Sequence, residues 1–444
     1  MKKLLLIGAG KSSSELIKYL SKLSIEKQWQ ITVADALADV AKEKFSFQNN
    51  INWQQLNIED TENLSRLVAC SDVVISLMPP NLHTVVAKQC IRNKKHLVTA
   101  SYTSAEMQQL HEEALNANIL ILNEMGADPG IDHMSAMQVI HRLKEEGAEI
   151  TAFESFTGGL LAPESEKDNP WKYKFTWNPK NVVMAGQGMC KFIQENKYKY
   201  IPYQRLFRRT EIINIPGFGL FEGYGNRDSL QYRSLYGLEN VKTIYRGTLR
   251  RVGFCRAWDT FVQLGATDDT YTMHDTENMT YREFINSFLY YHPSDSVELK
   301  LAHYMKFDLD SEEMYRLKWL GIFSDKEVGL KNATPAQVLL KILEDKWSLD
   351  PDDKDMLVMW HKFNYTLNGS EHELHSSMVS IGEDLIYTAM SKTVGLPLGI
   401  VAKLIAEEKI TLRGVQIPVH KEIYKPVLEA LHNEGIQFVE EQIS

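Results

Sequence analysis

The chain has 444 residues, of which 44% are hydrophobic and 24% charged, and its formal net charge is -9 at pH 7. A chain of this length exceeds what one hydrophobic core normally serves, so two or three domains of roughly 100 to 200 residues are expected. The acidic balance disfavours nucleic acid or an anionic membrane as the main partner and leaves small molecules as the expected ligands.

The cysteines and the N-terminus indicate the compartment. The four cysteines are widely spaced and form no C-x-x-C pair, which predicts a reducing environment without a disulfide framework or a structural zinc site. The apolar run after Met1-Lys2-Lys3 is too short for a signal peptide, and no stretch of about 18 apolar residues is predicted to span a bilayer. The sequence therefore predicts a cytoplasmic protein with no membrane partner.

The first 35 residues predict the opening of a dinucleotide-binding βαβ unit. An apolar strand, Leu4 to Ile7, enters Gly8-Ala9-Gly10, a helix-like stretch follows, and a second strand ends at Asp35. A glycine turn at a helix N-terminus lets backbone N–H groups approach a pyrophosphate, and the later carboxylate can accept hydrogen bonds from both ribose hydroxyls. Ser13 stands where a third glycine is usual, so an ordinary tight turn remains the alternative.

After Asp35, short apolar runs alternate with amphipathic segments, which predicts a parallel, doubly wound sheet. The predicted elements are strand 52–56, helix 61–69, strand 72–77, helix 82–93, strand 96–99, helix 104–117 and strand 118–122. Ligands bind such sheets at the carboxyl ends of the strands. The predicted ligand face therefore consists of 8–13, Asp35, 57–58, 76–80, 99–102 and 123–133.

From about Thr151 the pattern changes to strand-like runs, such as 152–157 and 245–248, separated by loops rich in Gly, Pro, Asn and aromatic residues. A helical, polar stretch at about 280–347 is interpreted as an insertion. Strands 363–367 and 371–379 flank Asn368-Gly369, which predicts a hairpin. Helices are predicted at 383–393, 398–407 and 424–434.

The predicted architecture is therefore α/β, with a doubly wound Rossmann parallel sheet, a second mixed α/β substrate domain and a helical insertion. The dinucleotide-binding domain spans 1–125 and is completed by C-terminal helices at about 381–444. The substrate-binding domain spans 126–380, with the insertion at about 275–350.

Candidate catalytic residues follow the last two strands of the first sheet. Pro129 and Gly130 predict a sharp turn that aims Asp128 toward the crevice, although Asp128 or Asp132 could instead only cap the next helix. Ser101 and Tyr102 follow another strand, where hydroxyls could bind a carboxylate or the nicotinamide carboxamide, or be ordinary turn residues.

Two arginine-bearing stretches of the second domain contain Arg227 and Arg246. Guanidinium groups bind carboxylates with two hydrogen bonds, so both suggest an anionic, amino-acid-like substrate, with surface ion pairs as the alternative. The aromatic stretch around Trp177 suits either a wall over a nicotinamide or a core. No metal site is predicted, because His372 and His375 would face opposite sides of a strand.

These segments together resemble the saccharopine dehydrogenases that form L-glutamate, especially the dehydrogenase half of animal and plant aminoadipic semialdehyde synthase. The matching motifs run in order along nearly the whole chain: Val98-Thr99-Ala100-Ser101-Tyr102, Gly126-Ala127-Asp128-Pro129-Gly130-Ile131-Asp132-His133, Gly158-Gly159-Leu160-Leu161-Ala162-Pro163-Glu164, Tyr173-Lys174-Phe175-Thr176-Trp177, Asn226-Arg227-Asp228-Ser229, Arg246-Gly247-Thr248-Leu249-Arg250, Lys392-Thr393-Val394-Gly395-Leu396-Pro397 and Glu422-Ile423-Tyr424.

The resemblance implies oxidation of the secondary amine of saccharopine by NAD(P)+, followed by hydrolysis of the imine to 2-aminoadipate 6-semialdehyde and L-glutamate. It implies a substrate set of Ser101, Tyr102, Asp128, Arg227, Arg246 and Thr248. It implies a cofactor set of Gly8, Gly10, Ser12, Ser13, Asp35, Ile58, Ser76, Leu77, Thr99, Ala100 and Trp177. A proton acceptor is required, for which Asp128 and Tyr102 are the candidates and Lys174 is also near in the family pattern.

Asp35 also predicts which nicotinamide cofactor is preferred. Asp35 would accept hydrogen bonds from a free ribose diol but repel a 2′-phosphate, which predicts a preference for NAD, with NADP as the alternative. A related dehydrogenase acting on carboxynorspermidine or lysine is one alternative function, and a catalytically silent NAD-binding sensor is another. The oligomeric state stays open, with a homodimer as the candidate assembly.

Overall fold

The computed structural model describes residues 1–45 and 50–443 and divides into two units. The first unit contains Met1–Ile150, Thr366–Ser370 and Met378–Glu440. The second contains Thr151–Tyr365, Glu371–Ser377 and Glu441–Ser444.

The strands in the described part of the chain are β1 (Lys3–Ile7), β2 (Gln30–Asp35), β3 (Ile51–Gln55), β4 (Val73–Ser76), β5 (His96–Thr99), β6 (Leu120–Leu122), β7 (Glu149–Leu161), β8 (Cys190–Gln194), β9 (Lys197–Ile201), β10 (Thr210–Ile215), β11 (Gly219–Gly225), β12 (Thr243–Arg251), β13 (Asp355–Leu367), β14 (Ser370–Ile381), β15 (Gly414–Gln416) and β16 (Val439–Gln442).

The helices in the same residues are α1 (Ser14–Lys27), α2 (Ala38–Lys44), α3 (Thr61–Ala69), α4 (His83–Asn93), α5 (Ala105–Gln109), α6 (His111–Asn116), α7 (Ile131–Glu145), α8 (Pro179–Val183), α9 (Tyr232–Leu235), α10 (Phe254–Leu264), α11 (Tyr281–Asn286), α12 (Val297–Met305), α13 (Glu312–Trp319), α14 (Pro335–Trp347), α15 (Ala389–Ala406) and α16 (Lys421–Asn433). Short 3-10 turns occur at Lys11–Ser13, Pro80–Leu82, Pro163–Ser165 and Tyr203–Arg208.

The first unit is built on a parallel sheet of seven strands among the described residues, in the order β15-β6-β5-β4-β1-β2-β3. Its central strand β1 is buried from Leu4 to Ile7, as expected for a strand covered on both faces. The chain leaves β1 toward β2 and β3 and then crosses to β4. The sheet therefore has its topological switch point between β1 and β4, where such sheets bind ligands.

A mixed sheet of nine strands among the described residues belongs mostly to the second unit and follows the path β10-β11-β12-β7-β13-β14-β16, with β8 joined to β12 and β9 joined to β8. Strand β12 is parallel to β7 and antiparallel to β11. Asn368 and Gly369, both with positive φ, form the turn between β13 and β14. The fold class, the predicted hairpin and the helical character of 280–347 are thus confirmed.

Helix α15 corrects one expectation. Helices predicted at 383–393 and 398–407 form one helix that begins after Thr388, whose side chain accepts a hydrogen bond from the Ser391 amide, and Pro397 lies inside it. The helix has 18 residues and is long and apolar enough to cross a membrane by length and composition alone, although 72% of it is buried in the structure. This degree of burial is typical of a core helix, and Lys392 and Lys403 interrupt its apolar run.

A close contact with α1 explains that burial. A Cβ atom at Gly395 would lie 2.9 Å from the Leu16 amide nitrogen, and one at Gly399 would lie 2.6 Å from the ring of Tyr19. Only glycine lets the two helix backbones approach this closely. Helix α15 is therefore a core helix of the first unit.

Other boundaries also differ from the sequence expectation. The helix predicted at 104–117 is two helices, α5 and α6, separated at Leu110. Strands β8, β9, β10, β11, β15 and β16 were not predicted. The edge strand β15 is short and pairs with β6, so its pairing depends on residues distant in the sequence.

Candidate active site

The glycine turn after β1 has the geometry that a pyrophosphate requires. Gly8 has a φ of 99°, and a Cβ there would lie 2.9 Å from the Leu77 carbonyl oxygen, so only glycine fits. A Cβ at Gly10 would meet nothing within 4 Å. The backbone is therefore open to a ligand at the point where the 3-10 turn leads into the N-terminus of α1.

The serines that follow are positioned differently from each other. Ser13 is fully buried, and its hydroxyl donates a hydrogen bond to the Gly10 carbonyl over 2.7 Å. Ser12 is half-buried. The Ser13 side chain thus closes the turn, so any contact that it makes with a cofactor must share a hydroxyl that already has a partner.

Asp35 ends β2 and fixes the glycine turn. Its two carboxylate oxygens accept hydrogen bonds from the backbone amides of Ala9 and Leu37, each over 2.8 Å. Each oxygen of an ionised carboxylate has two lone pairs, so both can accept one further hydrogen bond. Asp35 can therefore hold the turn and still bind ribose hydroxyls.

A buried polar network connects the ends of β4 and β5. The ring of His83, which is 3% exposed, lies with Nδ1 2.9 Å from Ser76 Oγ and with Nε2 2.7 Å from Ser101 Oγ. Thr99 Oγ1 lies 3.3 Å from both ring nitrogens. Burial lowers the pKa of His83 to about 4, so the ring is neutral near pH 7.

Sequence reasoning missed His83. It placed Ser76, Thr99 and Ser101 at the ligand face, but it treated the helix that begins at His83 only as a connection. The available signal was a polar ring at the start of a helix directly after a strand end. The remaining predicted cofactor residues of this region, Ile58, Leu77 and Ala100, are half-buried.

Tyr102 and Asp128 meet at the same edge of the sheet. The Tyr102 hydroxyl donates a hydrogen bond to Asp128 Oδ1 over 2.9 Å, and both side chains are half-buried. They follow β5 and β6, which are neighbours in the sheet. Asp132 Oδ1 accepts a hydrogen bond from the Gly130 amide. Asp132 therefore stabilises the turn, whereas Asp128 presents a carboxylate beside a phenol.

A buried hydrogen bond between Glu124 and His133 supports that pair of residues. Glu124 Oε2 lies 2.8 Å from His133 Nε2, and Glu124 Oε1 accepts a hydrogen bond from the Thr103 amide over 2.9 Å. Burial alone would raise the pKa of Glu124, but the hydrogen bonds from His133 and Thr103 outweigh it and the net pKa is lowered. The ionised Glu124 thus holds the segment that carries Ser101 and Tyr102.

In the second unit, the arginine candidates lie on and beside β12. Arg246 is buried, and its guanidinium carbon lies 4.1 Å from the centroid of the Tyr232 ring. The Arg246 amide donates to Ser229 Oγ over 3.0 Å, and the Asn226 amide donates to the Arg246 carbonyl over 2.9 Å. The segment 226–229, which carries the exposed Arg227, is therefore fixed beside Arg246.

Alternation along β12 places Arg246, Thr248 and Arg250 on one face of the strand. Arg250 was not predicted as a site residue. It is buried, its guanidinium carbon lies 4.9 Å from the centroid of the Tyr173 ring, and its Nε has no hydrogen-bond partner among the described residues. Thr157, which pairs with Thr248 in register, also has an unpartnered buried hydroxyl in that part of the chain.

The other candidates of the second unit have simpler surroundings. Trp177 is half-buried. The ammonium group of Lys174 lies 2.6 Å from both Asp350 and Asp353. Burial opposes its charge, but these hydrogen bonds outweigh that effect and raise its pKa. Lys174 is thus a poor proton acceptor.

Among residues 1–45 and 50–443, no group of three or more His, Cys, Asp or Glu side chains could hold a metal ion. His372 lies against the ring of Tyr365, and His375 Nε2 lies 2.9 Å from Glu373 Oε1.

Comparison with known protein families gives two matches that together cover most of the chain. Residues 4–122 match the model of the saccharopine dehydrogenase NADP binding domain. Residues 126–436 match the model of the saccharopine dehydrogenase C-terminal domain.

Individual proteins agree with these matches. Mitochondrial alpha-aminoadipic semialdehyde synthase of Bos taurus is 36% identical over 98% of this chain and 47% of that protein. Saccharopine dehydrogenase [NADP(+), L-glutamate-forming] of Schizosaccharomyces pombe is 33% identical over 100% of this chain and 99% of that protein. The chain thus spans about half the length of the animal relatives and nearly the whole length of the fission-yeast one.

A solved structure shows the same architecture. Apo histidine-tagged saccharopine dehydrogenase (L-Glu forming) from Saccharomyces cerevisiae matches with a TM-score of 0.90 and 29% sequence identity, covering 100% of both chains. The fungal names include NADP(+), so they do not support the NAD preference predicted from Asp35.

Proposed function

The chain belongs to the saccharopine dehydrogenase family, and from that membership we propose that it oxidises saccharopine with NAD(P)+ to 2-aminoadipate 6-semialdehyde and L-glutamate. The observation that carries the proposal is the Tyr102–Asp128 hydrogen bond at the carboxyl edge of a sheet whose glycine turn suits a dinucleotide. In this proposal, 1–125 with the C-terminal helices binds the cofactor and 126–380 contributes the substrate domain.

The reaction balances as follows. A hydride leaves the carbon derived from lysine Cε for the nicotinamide, and the amine nitrogen becomes an imine nitrogen. Water adds to the imine carbon, and the carbon–nitrogen bond then breaks to give an aldehyde and the amine of glutamate. One water is consumed, one NAD(P)H forms and one proton is released.

A nicotinamide dinucleotide would be held by the first unit. We assign the pyrophosphate to the open backbone around Gly10 and Ser12 at the start of α1, and the adenosine ribose to the remaining lone pairs of Asp35. The bound cofactor supplies the hydride acceptor. The residues of the first unit orient the cofactor. Leu77, at the switch point, lies against the glycine turn.

We further propose that the protein prefers NAD to NADP. This preference rests on Asp35 alone, because its carboxylate is fixed by two backbone amides and cannot turn away from the 2′-phosphate of NADP, which it would repel. The comparison is kcat/KM for NAD against kcat/KM for NADP with the same preparation. A value for NADP equal to or above that for NAD would reject the preference.

The substrate carries three carboxylates and two amino groups, so its ligands must differ in charge. We assign Arg227 and Arg246, with Thr248, to carboxylates, since guanidinium groups bind them through paired hydrogen bonds. We propose that Asp128 either pairs with an ammonium group of the substrate or accepts the proton that the reacting amine loses. Tyr102 donates to Asp128 and is the alternative proton acceptor.

A cytoplasmic location and a homodimer are also proposed. All four cysteines of the described chain are unpaired, which fits a reducing compartment. Cell fractionation tests the location, and light scattering on the purified protein tests the assembly.

The proposed reaction is tested by mixing the purified protein with saccharopine and either NAD or NADP. Absorbance of the reduced nicotinamide and the amount of glutamate are followed in one tube. Equal amounts of reduced cofactor and glutamate support the proposal. Tight nucleotide binding without reduction of either cofactor would reject it in favour of another amine substrate or a silent sensor.

A further inference from the structure

His83 links two segments to which the proposed function gives different tasks. Ser76 ends β4, next to β1 and the glycine turn, and belongs to the cofactor set. Ser101 follows β5 and belongs to the substrate set. The His83 ring touches both hydroxyls, at 2.9 Å through Nδ1 and 2.7 Å through Nε2.

The surroundings of the ring restrict what it can do. His83 is the first residue of α4, follows the turn Pro80–Leu82 and is 3% exposed. A neutral imidazole donates at one nitrogen and accepts at the other. The proton position therefore decides which serine receives a hydrogen bond and which serine donates one.

We propose that His83 is a positioning residue that holds Ser101 as a hydrogen-bond donor to a substrate carboxylate. In this arrangement Nε2 carries the proton and donates it to Ser101 Oγ, while Ser76 donates to Nδ1. The Ser101 hydroxyl hydrogen is then free for an anionic ligand. This assignment rests on the proposed function, because saccharopine supplies the carboxylate.

The backbone around Ser101 is fixed by hydrogen bonds, so the position of its hydroxyl depends on the side chain alone. The Ser101 carbonyl accepts a hydrogen bond from the Glu124 amide over 3.1 Å, and the Ser101 amide lies 3.3 Å from Thr99 Oγ1. With the main chain held on both sides, the remaining freedom of Ser101 is the rotation of its side chain. His83 removes that freedom.

Two substitutions separate the two serine contacts of the ring. The amide of His83→Asn occupies the place of Nδ1 and keeps the Ser76 contact, whereas the longer His83→Gln reaches the place of Nε2 and keeps the Ser101 contact. We expect His83→Asn to raise the KM for saccharopine about tenfold, the effect of one lost hydrogen bond, with cofactor affinity unchanged. His83→Gln should restore the KM to within about threefold of the starting protein.

His96 provides a matched control. It is another histidine of the same sheet whose pKa is lowered to about 4, chiefly by burial, and its Nδ1 accepts a hydrogen bond from the Leu120 amide over 3.0 Å. It begins β5, at the end of the strand opposite Ser101. His96→Asn should lower the unfolding temperature without changing the KM for saccharopine.

A double-substitution cycle tests whether His83 affects saccharopine binding through Ser101. If His83 acts through Ser101, then His83→Asn adds no further loss to the kcat/KM of Ser101→Ala. Additive losses, or a saccharopine KM for His83→Asn within twofold of the starting protein, would overturn the proposal.

A spectroscopic readout is independent of turnover. In protein labelled with 15N-histidine, the signals lost in His83→Asn identify the ring, and we expect a neutral Nε2–H tautomer from pH 5 to 8. A neutral Nδ1–H tautomer, or protonation near pH 6.5, would also overturn the proposal. If the unsubstituted protein does not turn over saccharopine, the proposed function fails, while this spectrum still decides the state of the ring.

Discussion

The hydrogen bond from Tyr102 to Asp128 makes a quantitative prediction about the proposed reaction. Its length is 2.9 Å and its acceptor is a half-buried carboxylate. Hydrogen bonds to charged groups contribute about 1.5–3 kcal/mol, and partial exposure places this one near the lower limit. Tyr102→Phe should therefore lower kcat/KM for saccharopine about tenfold.

Asp128→Asn tests the carboxylate itself. Loss of a general base or of a charged partner of the reacting amine should lower kcat by roughly 10²–10⁴-fold and remove the acidic limb of the pH profile of kcat/KM. Because the two side chains act as one unit, the doubly substituted protein should be no slower than Asp128→Asn alone.

The assay is initial-rate kinetics of nicotinamide reduction on variants with an unchanged unfolding temperature. Tyr424→Phe is the matched control, since its hydroxyl lies 2.8 Å from His141 Nδ1 on helices α16 and α7. It should leave kcat/KM unchanged. Additive losses for Tyr102→Phe and Asp128→Asn, or an Asp128→Asn protein that keeps its kcat, would contradict the roles assigned to these two residues.

Substitutions at four single residues test the remaining assignments. Arg246→Met should raise the KM for saccharopine roughly 30- to 100-fold with cofactor binding unchanged, because a charge-assisted pair is lost; an unchanged KM contradicts the assignment. Asp35→Ser should raise kcat/KM for NADP relative to that for NAD at least about tenfold; an unaltered ratio excludes Asp35 as the discriminating residue. Gly8→Ala should weaken dinucleotide binding in a fluorescence titration and lower stability by about 1–3 kcal/mol, since the added Cβ meets Leu77 at positive φ; wild-type values for both would show that the turn tolerates a side chain. The pKa of His83 is about 4 in the folded chain and about 6.5 in the unfolded chain. The free energy of unfolding should therefore fall by up to about 3 kcal/mol as the pH drops from 6.5 toward 4. Denaturant unfolding of His83→Asn should show a smaller decrease over this pH range, and an identical decrease would contradict the role of His83.

Much of the first unit could be predicted from local sequence because parallel buried strands are continuous apolar runs. Helix α3 has the predicted bounds, Thr61–Ala69, and β5 ends as predicted at Thr99. Strand β15 could not be predicted, since three residues carry little periodicity and their partner β6 is distant in the sequence. The continuity of α15 through Pro397 was missed because it depends on tertiary packing against α1.

In the candidate site, too, some residues could be predicted from the local sequence and others could not. Tyr102 and Asp128 were predicted at one edge because each follows a strand, and neighbouring carboxyl ends in a parallel sheet lie close together. His83 was missed because its partners come from two other strand ends. Arg250 was missed because the strand was predicted only at 245–248, whereas β12 extends to Arg251 and its alternation places Arg250 on the same face as Arg246.

The proposed hydride transfer can be followed through one labelled hydrogen of the substrate. The protein is incubated with saccharopine in which both hydrogens of the carbon derived from lysine Cε are replaced by deuterium, together with NAD or NADP. The reduced cofactor is then analysed by mass spectrometry. The proposed function predicts deuterium in the nicotinamide ring and one glutamate for each reduced cofactor. Reduced cofactor without deuterium, or no reduction with either cofactor, would contradict it.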